Sequence, residues 1–484
     1  MVRITPVVGE LGELFTADGH ELYLVGGTVR DALLGRLGHD LDLTTSAHPD
    51  EIERLLKAFA RKNSGATWDI GRKFGTIGCR VLVRDGNGTL TKWLIEVTTF
   101  RSDAYLQDSR KPEVEFGDTI DGDLVRRDFT VNAMAIGLPG QEFHDPYNGI
   151  SDLAAATLRT PATPEQSFSD DPLRMMRAAR FASQLEFSPT PAVAEAMASM
   201  ADRIKIISAE RVRDELSKLL LTDHPRTGLD LLVRTGLAAV VLPELPALQL
   251  ETDEHHRHKD VYAHTLIVLE QAIELQRVRG HAPDLVTRLA ALLHDIGKPA
   301  TRTFEPGNKV SFHHHDIVGA KLSRKRLQAL RFSTDEIKSV SRLVELHLRF
   351  HGYGEGTPAG QAMSGWTDSA VRRYVRDAGP ELERLHILTR ADCTTRNRSR
   401  AARLRTAYDD LEQRIGELAA REELDALRPD LDGTQIMEIL GIGPGREVGQ
   451  AYRNLLELRI ENGPLGEDAA RAALLAWWEQ RPRT

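Results

Sequence analysis

Two cysteines, Cys79 and Cys393, are all that the 484 residues contain, which excludes a disulfide framework. Positive charge is not in excess. Lys plus Arg is 63 against 71 for Asp plus Glu, a formal net charge of −8. That excludes a uniformly basic coat for nucleic acid and leaves room for local basic patches. No apolar run approaches the roughly 20 residues of a membrane span; one of the longer ones is Ala472–Trp478. The opening MVRITPVVGELGELF lacks the basic-then-apolar layout of a signal peptide. Hydrophobic content of 41% argues against disorder. These absences predict a soluble, cytoplasmic, globular protein with no membrane contact and no obligate protein partner. At about 150 residues per domain, the length suggests about three domains.

The chain changes character along its length. Glu21–Val25 alternates and ends at Gly26-Gly27, and Ile77–Val83 and Lys92–Phe100 are rich in β-branched and aromatic residues. Asp50–Phe59 reads as a helix, with Ile52, Leu55, Leu56 and Phe59 on one stripe and Pro49 and Asp50 at its start. From about Ser169 the strand signals fade. The rest of the chain reads as helices broken by Gly and Pro, for example at Leu242–Pro246 and His351–Gly360. The expectation is α+β: a mixed head, then an all-helical remainder.

The segment Leu24–Thr45, LVGGTVRDALLGRLGHDLDLTT, runs from a strand through Gly26-Gly27 into a helix carrying Arg30 and Asp31. Two glycines at such a junction let backbone N–H groups approach an anion, and the helix N-terminus adds partial positive charge. Asp40 and Asp42 come next, in HDLDLTT. In an extended strand, residues i and i+2 share a face. Two carboxylates side by side repel unless a cation sits between them, and hard oxygen ligands suit Mg²⁺. Glu96 lies inside the apolar strand WLIEVTTFR, where a buried unpaired Glu is rare. Beside the strand of Asp40 and Asp42 it completes a triad for two metal ions, which activate an attacking hydroxyl and neutralise a leaving pyrophosphate.

Gly26-Gly27-x-x-Arg30-Asp31 followed by Asp40-x-Asp42 resembles the signature of the class II nucleotidyltransferases, the CCA-adding tRNA nucleotidyltransferases and bacterial poly(A) polymerases. Further segments match the family in order. Arg126–Ala133 resembles its ribose-recognition motif, and Asp145–Gly149 with Asp152-Leu153 its head-to-neck hinge. Asp170–Arg174 resembles its base-recognition motif, and Glu210–Glu215 a supporting helix. The resemblance covers about Leu24–Leu220. It implies a nucleotidyltransferase head at 1–155, a small mixed sheet with helices. Beyond the head it implies a helical neck at 156–250, an HD-type metal-binding body at 251–400 and a helical tail at 401–484. It also implies tRNA, CTP and ATP as substrates, with C, C and A added in turn without a nucleic-acid template.

The resemblance gives these residues roles. Asp40, Asp42 and Glu96 would hold Mg²⁺, while Gly26, Gly27 and Arg30 would steady the triphosphate. The Arg126–Ala133 segment reads as a strand-to-helix passage in which Arg127 can fork onto phosphate oxygens and Asp128 can accept from a ribose hydroxyl. An Arg127–Asp128 surface ion pair is the plainer reading of those two residues. Asp171 and Arg174 are three apart, so on a helix they share a face. A carboxylate accepts and a guanidinium donates. Cytosine and adenine both offer an amino donor beside a ring-nitrogen acceptor, whereas uracil and guanine present a carbonyl there. The pair therefore matches C and A and leaves U and G with unpaired groups. The family more often has Glu at the position of Asp170.

Histidines concentrate in the middle. His264, His294-Asp295, His315, His347 and Asp392 sit in separate helical patterns. Imidazole with carboxylate suits a divalent transition metal. The pattern resembles the HD phosphohydrolase domain, with His264, His294, Asp295 and Asp392 as ligands. His315 and His347 match the extra histidines of two-metal members, which implies a second, hydrolytic activity. Two basic islands offer a track for the tRNA backbone. Lys321–Arg331 carries five basic residues and no acid, and Val371–Thr406 holds ten Arg against four acids. Gly441–Gly445 precedes a helix from Arg446 that reads either as a phosphate site or as a plain turn. Two other readings stay open: a poly(A) polymerase adding AMP to RNA, and an HD hydrolase with a nucleotide-binding head.

Overall fold

Period-two alternation builds the head sheet. Its strands are β1 (Leu22–Val25), β2 (Asp40–Thr45), β3 (Ala66–Trp68), β4 (Thr76–Arg84), β5 (Leu90–Thr99), β6 (Ala135–Leu138) and β7 (Phe143–His144). The order across the sheet is β3-β4-β5-β2-β1-β6-β7. The β2–β5 pair is parallel and the others antiparallel. The computed structural model describes residues 6–84, 90–101, 116–250, 260–306, 309–352, 366–394, 398–422 and 428–481.

One face of the sheet is the core. Leu41, Leu43, Ile77, Cys79, Ile95 and Val97 pack there with Ile52, Leu55, Leu56 and Phe59 of the helix Pro49–Lys62. Each fully buried side chain of this kind contributes about 1.5 to 3 kcal/mol. The helix begins at Pro49, and Glu51 turns back to accept the His48 N–H at 2.8 Å. Its apolar stripe is the one expected from spacing. The opposite sheet face carries Asp40, Asp42 and Glu96, all exposed. Glu96 is therefore not the buried glutamate its apolar neighbours suggested. Alternation turns it away from Ile95 and Val97.

A cluster of helices follows in the same compact unit, Met1–Pro243. The helices Leu173–Gln184 and Pro225–Arg234 cross so closely that a Cβ on Gly228 would lie 2.3 Å from the Ala179 carbonyl oxygen. The second unit is Glu244–Thr484. Its body includes the helices Val261–Val278, Leu285–Leu293, His315–Ala329, Thr334–Leu346 and Leu382–Asp392. Its tail packs Leu431, Ile436, Ala451, Leu455, Ala470 and Leu474 between three C-terminal helices. The last long one, Arg446–Asn462, starts directly after Gly445, as the sequence suggested.

The all-helical expectation needs two corrections. Two-residue strands β8 (Thr157–Leu158) and β9 (Ser188–Pro189) pair in parallel, and β10 (Thr303–Glu305) forms a hairpin with β11 (Lys309–Ser311). Thr303, Phe304 and Val310 favour extended backbone, and Pro306-Gly307-Asn308 is turn chemistry between them. The break at His351–Gly360 falls mostly outside the described residues. No described helix is long and apolar enough to cross a membrane.

Candidate active site

Parallel pairing of β2 with β5 sets Asp42 directly opposite Glu96, with Asp40 two residues away on the same face. The Thr28 hydroxyl accepts the Asp42 N–H at 3.0 Å and fixes β2 beside the turn that follows β1. In that turn Gly26 has φ 68° and ψ −141°, a region that only glycine visits freely. A Cβ there would lie 3.0 Å from Arg127 Nη1 and 3.9 Å from Asp42 Oδ2. Gly26 is thus the floor of a cleft with a carboxylate on one side and a guanidinium on the other. Partial desolvation by the cleft walls and the Asp40 charge raise the Asp42 carboxyl above its ordinary value, although Arg127 pulls the other way. Glu96, open to solvent at its tip, is raised by the same partial desolvation and by Asp42 and Asp40. Crowded carboxylates with raised proton affinity are the donor set a hard divalent cation relieves.

Two arginines expected to meet substrate are partly spent on the protein. Arg127 donates from Nη2 to Asp123 at 2.9 Å, while its Nε is buried without a partner. Asp123 is fully buried and also takes Arg126 at 2.7 Å. Burial raises its carboxyl, but Arg127 and Arg126 outweigh that and hold it low. Arg30 is buried, paired with Asp31 at 2.9 Å and with Asn132 Oδ1 at 2.7 Å. Asn132 in turn donates to Asp128 at 2.9 Å, so Arg30 reaches the next carboxylate through a relay rather than opening onto the cleft.

Arg127 and Asp128 do not pair with each other. Asp128 Oδ1 accepts from the Phe129 N–H at 2.9 Å, and Oδ2 accepts from Arg177 Nε at 2.7 Å. Burial alone would raise the Asp128 carboxyl; Arg177 and Asn132 overcome it and hold it at about 2. The segment is also not a strand-to-helix passage. It leaves the short helix Ile120–Val125, makes a 3₁₀ turn at Thr130–Asn132 and enters β6. The hinge motif is a capping device. Asp145 accepts N–H groups of Gly149 and Ile150 at 2.6 and 3.0 Å, and Asp152 accepts the Thr130 hydroxyl at 2.7 Å.

Asp171 and Arg174 do not share a helix face. Asp171 ends the helix Pro164–Asp170 in extended backbone, and Arg174 belongs to the next helix. Pro172 separates them and forbids one continuous helix. Asp171 accepts from the Leu173 N–H at 3.1 Å and from Arg211 at 2.8 Å. Arg174 is buried, donates to Ser167 Oγ at 2.9 Å and reaches the Arg126 carbonyl. Asp170 accepts from Gln166 at 2.6 Å.

Sequence reasoning missed Asp123, Arg177 and Arg180. Arg177 and Arg180 recur three apart after Arg174, and with Arg30 they surround the Phe181 ring at 4.1 to 5.4 Å. Buried Glu215, from the supporting helix, holds Arg180 at 2.7 Å. The three-residue repeat and the Asp123/Arg126/Arg127 spacing were the signals available.

The second unit gathers the histidine set. A Cβ on Gly297 would lie 2.1 Å from the His315 carbonyl oxygen, so glycine there lets the backbone after Asp295 touch the helix that starts at His315. His264 Nε2 lies 3.0 Å from Asp392 Oδ1, His294 Nε2 lies 3.2 Å from Asp295 Oδ2, and His315 Nε2 lies 3.4 Å from Asp295 Oδ1. His347 Nε2 faces His315 Nε2 at 3.3 Å. Asp295 thus belongs to two potential metal-holding triplets, with His264 and His294 and with His315 and His347. Lys298 also reaches it at 2.9 Å.

Each ring is oriented from behind. The Nδ1 atoms of His294, His315 and His347 face the carbonyls of Ala291, Phe312 and Val344 at 2.9, 2.8 and 2.6 Å. His264 Nδ1 meets the Thr394 hydroxyl at 3.0 Å. An Nδ1–H given to a carbonyl leaves Nε2 as a lone pair, the tautomer of a metal ligand. His347 is pushed down to about 4 by burial and by His294 and His315. Burial would lower His294, yet Asp295 and Asp392 raise it to about 9. Converging lone pairs and carboxylates fit a divalent cation.

Comparison with known proteins agrees with both halves. Family models for the poly(A) polymerase head domain, the probable RNA and SrmB-binding site of polymerase A, and the HD domain match residues 22–159, 186–248 and 261–397. The chain is 33% identical over 469 residues to the A-adding tRNA nucleotidyltransferase of Deinococcus radiodurans, covering 95% of this chain and 96% of that one. It is 31% identical over 457 residues to the CCA-adding enzyme of Streptococcus thermophilus, covering 94% and 92%. The fold matches the Bacillus stearothermophilus CCA-adding enzyme crystallised with CTP, at 24% identity, a TM-score of 0.65 and 99% coverage of each chain.

Proposed function

The chain belongs to the tRNA nucleotidyltransferase and poly(A) polymerase family with an HD domain, and from that premise we propose that it adds C, C and A to the 3′ end of tRNA without a nucleic-acid template. The observation that carries this is the register of Asp42 against Glu96, with Asp40 on the same face. The tRNA 3′-terminal hydroxyl attacks the α-phosphate of CTP or ATP. A P–O bond forms there and the bond to the β-phosphate bridge breaks, releasing pyrophosphate. Asp40, Asp42 and Glu96 hold Mg²⁺, which when bound activates the hydroxyl and takes up charge on the leaving group. The Gly26-Gly27 turn admits the triphosphate, and Arg127, anchored on Asp123, faces it.

Asp171 and Arg174 read the base from separate elements. Asp171 accepts one bond on each oxygen and keeps acceptor capacity, and Arg174 retains donors beyond those given to Ser167 and Arg126. For Asp128 to take a ribose hydroxyl, Arg177 must yield one of its hydrogen bonds. The reaction belongs in the cytoplasm, consistent with a chain that holds only two cysteines.

Incubation with tRNA lacking its 3′ end, with each labelled nucleotide supplied separately, tests the reading. Incorporation of CTP, then of ATP onto the CC-ended product, is the expected result. ATP incorporation only onto tRNA already ending in CC would instead make it an A-adding enzyme, the name its Deinococcus relative carries. ATP addition to generic RNA would make it a poly(A) polymerase.

The oriented Nε2 set favours a second activity, metal-dependent hydrolysis of phosphate esters in the HD body. Bound metal, with turnover of 2′,3′-cyclic phosphates or phosphomonoesters, is the expected finding. A metal-free, inactive body would reject it.

A further inference from the structure

The two basic islands of the second unit differ in how their charges are partnered. In Val371–Thr406 several arginines are neutralised by carboxylates from other parts of the chain, while Arg398, Arg403 and Arg405 are exposed. Arg372 pairs with Glu422 at 2.8 Å, Arg376 with Glu457 at 2.9 Å, Arg384 with Asp284 at 2.8 Å and Arg390 with Glu412 at 2.7 Å. These four pairs are internal cross-links, one of them buried, and have little charge left for a polyanion. In Lys321–Arg331, Arg326 is tied in this way, to Glu244 at 2.8 Å. Lys321, Arg324 and Lys325 are exposed and have no carboxylate partner among the described residues.

Arg324 borders a depression of about 530 Å³ between the helices His315–Ala329 and Thr334–Leu346, lined also by Gln328, Arg331, Thr334 and Lys338 over Phe332. Arg324 and Gln328 are four apart on the first helix and share a face, and Arg331 follows just past its end. No acid lines the groove. The nearby Glu336 is folded back onto the Ser333 N–H and hydroxyl at 2.9 and 2.7 Å. Arg331 ends the first helix with φ 60°, in a turn closed by Phe332 N–H to the Leu327 carbonyl at 3.0 Å. Glycine is the usual residue at that position. A cationic side chain in left-handed backbone on the rim of a groove marks a position kept for something other than the turn.

We propose that this groove binds the sugar–phosphate backbone of tRNA. The proposal rests on the reading that tRNA is the substrate. Arginine and lysine supply charge-assisted donors to phosphate, Gln328 and Thr334 supply neutral ones to phosphate or ribose, and no base edge need be read. Binding of this kind releases counterions and falls steeply with salt.

The full-length chain and its Arg324→Gln/Arg331→Gly/Lys338→Gln variant are titrated with a tRNA transcript lacking its 3′ CCA, across a salt series. The variant is expected to bind about tenfold weaker or more at low salt. Its slope of log affinity against log salt should be shallower by about 2 to 3, near 0.9 for each phosphate that is no longer neutralised. Its turnover at saturating tRNA should be unchanged. Arg331→Gly alone should weaken tRNA binding while leaving the melting temperature unchanged or higher, because glycine meets the left-handed turn without strain. A purely structural arginine would show neither effect on tRNA. Wild-type affinity and slope in the triple variant would overturn the proposal, as would loss of ATP affinity with tRNA binding intact. Failure of the wild-type chain to extend any tRNA would defeat the substrate reading instead, whatever the groove binds.

Discussion

Asp128→Asn isolates the charge that holds the head to the arginine-rich helix behind it. The carboxylate is almost fully buried and held at about 2 rather than 3.8. Burial opposes ionisation there, so Arg177 and Asn132 overcome that cost by nearly two units. Each unit is about 1.4 kcal/mol. Arg177 is one-third exposed, and solvent screening brings the expected contribution to about 1 to 2 kcal/mol. The sign is fixed by a folded pKa below the unfolded one. The contribution is fully present above about pH 5, and it is lost as pH falls through 3.8 toward 2. Chemical denaturation of both proteins at about pH 6 and about pH 3 measures it. The variant should be less stable at the higher pH, and the gap should narrow at the lower one, where the carboxyl of the unfolded chain takes up its proton while the folded one is still ionised. A gap of equal size at both pH values would show that shape, not charge, accounts for the loss. The same variant should prefer CTP over dCTP less strongly, because the arrangement facing the ribose is altered; unchanged preference would remove Asp128 from sugar recognition.

Asp42→Ala should lower nucleotide incorporation by about 10²- to 10³-fold or more, with a melting temperature no lower than wild type, since it removes one of three mutually repelling acids. Steady-state incorporation and a thermal melt check both halves. Gly297→Ala forces a Cβ to 2.1 Å from the His315 carbonyl oxygen. It should cost about 1 to 3 kcal/mol and reduce the metal bound per chain, read by denaturation and elemental analysis. Removing metal with a chelator should lower the melting temperature of the wild-type chain, and restoring a divalent ion should raise it again, because His315 and His347, with Nε2 atoms 3.3 Å apart, would hold a cation in the proposed HD site.

The carboxylate triad was legible because strand alternation alone dictates which residues share a face. Asp40 and Asp42 flank Leu41, and a parallel partner strand needed only one acid in register. The same alternation places Glu96 in the open, where apolar neighbours alone suggested burial. The histidine set was legible by composition, whereas its closeness depends on the Gly297 contact, which no periodicity reveals. Spacing misled at Asp171 and Arg174, since the i, i+3 rule holds only inside one helix and Pro172 divides two. It also could not tell which arginines of the basic islands are spent on Glu422, Glu457, Asp284 and Glu412, because those partners come from other parts of the chain. Asp128 stands next to Arg127 in sequence and turns instead to Arg177, 49 residues on.

The parallel pair at the centre of the head has a kinetic corollary. Asp42 and Glu96 are neighbours in space but 54 residues apart in sequence, and a parallel pair is never closed by a tight turn. The sequence-adjacent antiparallel strands β4 and β5 can pair locally, whereas this contact must wait for a crossover that includes the helix Pro49–Lys62. A ribosome-bound fragment ending before Glu96 therefore has no complete acidic site, and the three acids meet only once this crossover has closed.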